Sequence, residues 1–156
     1  MRNINTAAHL AVSVLHCLET GDLSELDQLV SEDFVDHGAP PFVPTGREAY
    51  KRTFHWLRNH LQLTYVVDDM VWNEDKVAIR ATAHGVDNSG HLGFVPTGKP
   101  YTMPTMHIYR EEGGRLVEHW GVRDELSFLW QVGALTPPAP TPEMLEELGV
   151  TPAVSH

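Results

Sequence analysis

Apolar residues at Ala7, Leu10, Ala11, Val14, Leu15 and Leu18 recur every three or four positions, and Gly21 follows them. That spacing predicts an amphipathic helix stopped at the glycine. Asp22 with Glu25 resembles a capping box, so a second, shorter helix is expected at once, with Leu23, Leu26, Leu29 and Val30 as its apolar side. Ser31 to Pro44 reads as a loop. Thr45 and Glu48 form another capping box, and Tyr50, Phe54, Leu57 and Leu61 mark one face of a third helix ending near Gln62. The period then changes. Leu63 to Trp72 is rich in β-branched and aromatic residues on both alternating faces, which predicts a strand in a sheet covered on both sides. Asn73 to Asp75 is a turn, and Val77, Ile79, Ala81 and Ala83 alternate along the next strand. Gly85 to Gly98 is a long connection. Pro100–Arg110 and Arg115–Arg123 are expected to pair as a hairpin across Glu111 to Gly114.

A last helix is expected from about Asp124 to Gln131, with Gly133 as its stop. Pro137, Pro138, Pro140 and Pro142 forbid its extension. Thr141-Pro142 can start one more helical turn, with Met144, Leu145 and Leu148 as its stripe. This tail would cover the pocket mouth or a neighbouring subunit, or dock loosely. The order of elements implies an α+β domain over residues 1–135: a cone-shaped barrel of curved, mostly antiparallel sheet with the N-terminal helices on its concave face, followed by a Pro-rich tail over 136–156. Such a cone leaves a cavity between helices and strands, where a small-molecule ligand is expected. Phe42-Val43-Pro44-Thr45-Gly46-Arg47 is echoed by Phe94-Val95-Pro96-Thr97-Gly98-Lys99, but the flanks differ, so the echo marks no solenoid.

Composition narrows the partners. With 156 residues, 42% hydrophobic and 21% charged, the chain can bury one core and a cavity. Its net charge of −10 repels phosphate backbones, so no nucleic-acid partner is expected. Cys17 is the single cysteine; no internal disulfide can form, and its apolar neighbours suggest a buried structural thiol. No signal peptide and no membrane span are evident, so a cytoplasmic protein is expected. Ten histidines invite a metal, yet no pair has a recognised ligand spacing. Nucleotide-binding fingerprints and the nucleophile elbow are absent as well, so neither a nucleotide cofactor nor serine hydrolysis is expected.

The run from Met106 to Gly133, above all Glu118-His119-Trp120-Gly121-Val122-Arg123-Asp124, resembles the C-terminal signature of the SnoaL-like polyketide cyclases, which have the nuclear-transport-factor-2-like fold. The two Pro-Thr-Gly-(Arg/Lys) segments and Phe34-Val35-Asp36-His37 add to the likeness, which covers roughly residues 5 to 133. The resemblance implies a cofactor-independent intramolecular aldol closure of a polyketide-like metabolite, with Asp124 as acid/base, and a homodimer or higher homo-oligomer. Phe128, Trp130 and His107 depart from the family's usual residues.

Asp124 closes a strand and opens a helix, so an N-cap role competes with catalysis. His107 shares a strand face with Met103 and Thr105, whereas His119 and Trp120 point to opposite faces, so only one of them can line the cavity. The family likeness favours Trp120 there and puts the strand of His107 beside that of Asp124. His37, next to Asp36, sits in a loop that could overhang the pocket. Arg47 stands in the first turn of a helix, where a cation is mildly unfavourable, which points to an ion pair or a substrate oxygen. The expected site therefore has Asp124, His107 and His37 as catalytic groups, with Arg47, Trp120, Thr105, His119 and Trp72 around the substrate. Two other readings stay open: epoxide opening by Asp124 with Arg47 or Arg80, and a non-catalytic binding protein.

Overall fold

The computed structural model describes residues 5–150. Helix α1 (Thr6–Thr20) is capped by the Asn5 side chain and closed by Gly21 in the left-handed region, as its spacing predicts. Its inward stripe is fully buried, with Ala7, Ala11, Val14 and Leu18 at 0% exposure. A 3-10 turn (Leu23–Glu25) and the one-turn helix α2 (Leu26–Leu29) follow. The chain then enters strand β1 (Val30–Asp36), in a region expected to be a loop. Ser31, Glu32 and Asp33 break the alternation on one strand edge, so only Val30 and Phe34 are fully buried there and the strand pattern is faint.

Helix α3 (Arg47–Leu61) begins at Gly46, whose φ of 100° suits glycine. The Thr45–Glu48 box does not form: no side chain caps this helix. Four strands complete the sheet: β2 (Thr64–Trp72), β3 (Lys76–Val86), β4 (Pro100–Glu112) and β5 (Arg115–Arg123). The order is β1-β5-β4-β3-β2, antiparallel throughout except that β1 runs parallel to β5. This is the expected α+β architecture: a five-stranded curved sheet with α1 and α3 against its inner face. Cys17 lies in that core, and its thiol is pushed up to about 11, first by burial and then by Glu25, so it stays an inert thiol.

The outer face differs from expectation. Val66, Met106, Ile108 and Val122 are exposed, so within the described chain the sheet is covered on one side only. The β3–β4 connection is organised by buried Asp87, which accepts hydrogen bonds from the backbone N–H groups of Gly90 and Thr97 and from the Thr97 hydroxyl. Helix α4 (Glu125–Val132) ends at Gly133, and α5 (Pro142–Glu147) starts from a Thr141 cap. Met144 and Leu148 in that last segment are exposed, and the described part of the tail, from Thr136 on, lines neither of the two cavities described below.

Candidate active site

Strand alternation decides which side chains meet. On β4, Thr105, His107 and Tyr109 point inward. Their cross-strand partners on β5 are Arg123, Gly121 and His119, so these share the inner face. On β1, buried Phe34 and then Asp36 face the same way, and Asp36 is in register with His119. Three strands thus aim a carboxylate, two imidazoles, two hydroxyls and a guanidinium at one interior region.

These groups form a continuous chain. The Asp36 Oδ1 atom lies 2.7 Å from His119 Nδ1, His119 Nε2 lies 2.9 Å from His107 Nδ1, and His107 Nε2 lies 3.0 Å from Thr105 Oγ1. The Thr105 oxygen is in turn 2.8 Å from the Ala81 carbonyl. Gly38 N–H also donates to Asp36 Oδ1, and Asp36 Oδ2 has no partner among the described residues. The rings are packed in layers: Tyr109 stacks on His119 at 4.4 Å, and Tyr65 meets His107 edge-on. The Tyr50 and Tyr109 hydroxyls are 3.0 Å apart.

Two glycines permit this closeness. A Cβ on Gly121 would lie 2.8 Å from the His119 ring, and one on Gly38 would lie 3.0 Å from the Gly121 backbone. Any side chain at 121 would displace the histidine pair.

Burial shapes the charges. Asp36 is pulled both ways: burial raises its pKa, but the His119 hydrogen bond and charge, the Gly38 N–H and Arg123 leave it below the ordinary carboxylate value. His107 is pushed down to about 3, by burial first and then by the neighbouring His119 and Arg123. His119 is lowered too, since burial outweighs the Asp36 carboxylate. Arg123 is held above its usual value despite burial, by Tyr65 and Asp36. Arg47, Arg80 and Arg110 are ion-paired to carboxylates; Arg123 has no such partner among the described residues. Tyr50 and Tyr109 are both raised by burial and stay neutral hydroxyls.

A cavity opens on these groups, bounded by Asp36, Tyr65, His107, His119 and Arg123 on the strands and by Leu15 and Thr53 on the helices. Its free volume is about 20 Å³, the room of about one water molecule. A second small space beneath the 39–46 loop shares Asp36, Tyr50 and Thr53. Chemically, the arrangement offers a carboxylate with one free oxygen, a neutral imidazole pair behind it, and an unpaired cation across from it.

Of the residues expected from sequence, Thr105, His107 and His119 come together here, and the others do not. Asp124 is exposed; its carboxylate accepts from Ser127 N–H at 3.0 Å and caps α4, so it faces away from the cavity. Trp120 and His119 are indeed on opposite faces, but His119 takes the inner one. Trp120 lies outside, opposite Ile108, and stacks on His37 at 4.8 Å. His37 meets Glu118 on that same outer surface. Arg47 pairs with Asp27 at 3.0 Å and donates to the Val30 carbonyl, tying α3 to β1. Arg80 pairs with Asp68 and Asp69. Trp72 packs against the core at the far end of β2, away from the cavity. The residues missed were Asp36, Tyr50, Tyr65, Tyr109 and Arg123. The period-2 rule run onward from Phe34 would have turned Asp36 inward, had β1 been read as a strand.

Residues 8–132 match the family model described as SnoaL-like polyketide cyclase. No curated protein matches the chain. Among solved structures, TsrD from Streptomyces laurentii is similar at 25% identity and a TM-score of 0.76, over 83% of this chain and 96% of that one. IdmH from Streptomyces antibioticus, described as a candidate polyketide cyclase, is similar at 30% identity and a TM-score of 0.72, over 83% of this chain and 99% of that one. AclR from Streptomyces galilaeus, described as a candidate hydroxylase, shares the fold at 24% identity and a TM-score of 0.71, over 89% of this chain and 91% of that one.

Proposed function

The chain belongs to the SnoaL-like polyketide cyclase family, and from that premise we propose that it catalyses a cofactor-independent ring closure of a polyketide-like substrate with Asp36 as its acid/base. The observation that carries this reading is an inward carboxylate held by His119, whose Oδ2 has no partner among the described residues, sharing one cavity with an Arg123 that pairs with no carboxylate among them. Asp36 takes the proton from a carbon beside a carbonyl. Arg123, with Tyr65 beside it, steadies the enolate oxygen that forms. The enolate carbon attacks a second carbonyl of the same molecule, and Asp36 returns the proton to the new alkoxide, so no co-reactant is consumed. The lowered pKa of Asp36 keeps it ionised at neutral pH, as a base must be. A polyketide exceeds the free volume, so admission requires the 39–46 loop and α3 to part from the sheet.

Ring closure of candidate polyketide esters, followed by mass spectrometry, tests this reading. Asp36→Asn is expected to lower the rate by about 10³-fold, whereas Asp124→Asn keeps it. Equal rates for wild type and Asp36→Asn would overturn it.

The water-sized free volume beside Asp36 and Arg123 supports a second reading, epoxide opening by an activated water. Turnover in ¹⁸O-water separates the two: a labelled diol indicates epoxide hydrolysis, and an unlabelled carbocycle indicates aldol closure.

A further inference from the structure

The hydrogen bonds joining Asp36 to Thr105 cannot run in arbitrary directions. A carbonyl only accepts, and a hydroxyl carries a single proton. Thr105 Oγ1 lies 2.8 Å from the Ala81 carbonyl and 3.0 Å from His107 Nε2, so its proton serves one of them at a time. When the hydroxyl points to Ala81, His107 Nε2 must carry a hydrogen and donate to Thr105. A neutral His107 then has a bare Nδ1, so His119 Nε2–H donates to it. His119 Nδ1–H donates to Asp36, which makes His119 an imidazolium paired with a carboxylate. When the hydroxyl turns to His107, every bond between the rings reverses: His107 Nε2 is bare, its Nδ1–H donates to His119, and His119 is neutral. The two forms differ by one proton, exchanged with solvent.

We propose that Thr105 is a positioning residue, whose rotating hydroxyl lets the Asp36–His119–His107 relay hold either of two protonation states with every ring nitrogen satisfied. The consequence for turnover rests on Asp36 acting as acid/base; the hydrogen-bond chain itself can be read without substrate. In the proton-poor form Asp36 faces a neutral imidazole and serves as a base. In the proton-rich form the same pair is loaded. The other titratable groups facing the relay are Tyr65 on β2, Tyr109 on β4, Arg123 on β5 and Tyr50 on α3; α1 presents the apolar Leu15, and the charge of His37 acts on His119 from the outer surface. Burial holds Tyr50 and Tyr109 neutral, and Arg123 stays cationic, which leaves the histidine pair and Asp36 to titrate.

Long-range ¹H–¹⁵N correlation of the histidine rings in the intact protein tests this directly. As pH falls and His119 gains its proton, His107 is expected to stay neutral but swap from the Nδ1–H to the Nε2–H tautomer, with the same midpoint. Thr105→Val takes a partner from His107 Nε2 in both forms, but it leaves a buried N–H orphaned in the proton-rich form and only an unused lone pair in the proton-poor one, so the midpoint is expected to fall by about one pH unit, while Thr105→Ser keeps it. A His107 that holds one tautomer across the His119 titration overturns the proposal. So does a His119 that stays neutral down to acid unfolding, or an unmoved midpoint in a folded Thr105→Val. The wild-type swap carries the test if the valine variant does not fold. Failure of Asp36→Asn to affect ring closure would sink the cyclase reading but leave this swap intact, so the two are separable.

Discussion

Asp36 and Asp124 both stand at the end of a strand, and they have opposite fates. Asp36 ends β1 on the inner face, where His119 lies in register and its carboxylate loses most of its water. Asp124 follows β5 by one residue, in the bend that starts α4, and its carboxylate satisfies a backbone N–H in contact with solvent. An aspartate one step past the pleat no longer obeys strand alternation and takes its orientation from the helix it caps. The buried carboxylate is therefore the one whose neighbour across the sheet is a histidine. The family motif, which runs through Asp124, does not by itself pick it out.

Acid offers the largest test of this contrast. In the unfolded chain an imidazole takes up its proton near pH 6.5, whereas burial, with His119 and Arg123 next, holds folded His107 uncharged down to about 3. Unfolding between those values binds a proton, so stability falls as pH drops from about 6.5 towards 3, by on the order of 5 kcal/mol from His107 alone. Urea unfolding at pH 7, 5 and 4 should show this slope, and Asp124→Ala should show the same slope from a lower start. A flat profile would mean that His107 is not buried as a neutral ring.

Next in size is Gly121→Ala. Its Cβ would press on His119, so a loss of about 1–3 kcal/mol is expected together with weakened catalysis. An alanine variant with wild-type melting and turnover would show that the histidine pair tolerates displacement. The smallest effect belongs to Asp124→Ala, which removes a helix cap at a cost of about 1 kcal/mol. Its kcat/KM is expected to stay within about twofold, since no step routes through it.

Much of the architecture was legible along the chain. The 3.6-residue stripe of α1 and its stop at Gly21, the alternation of Val77, Ile79, Ala81 and Ala83, and the β4–β5 hairpin all appear where local periodicity put them. These are local signals, carried by neighbours within a few residues. Strand β1 was not legible, because three polar residues in a row hide an alternation that burial of Val30 and Phe34 alone preserves. Local rules correctly set His119 and Trp120 on opposite faces, and grouped Thr105 with His107 on one.

Which of those faces looks inward depends on where the helices lie, and α1 and α3 reach the sheet from distant parts of the chain. The pairing of Asp36 with His119 spans 83 residues of sequence and exists only because β1 adds in parallel beside β5. Sequence by itself determined most of the elements, their order and the kinds of groups available. Tertiary structure alone decided which carboxylate loses its water and gains an imidazole, since desolvation and charge pairing are properties of neighbours in space.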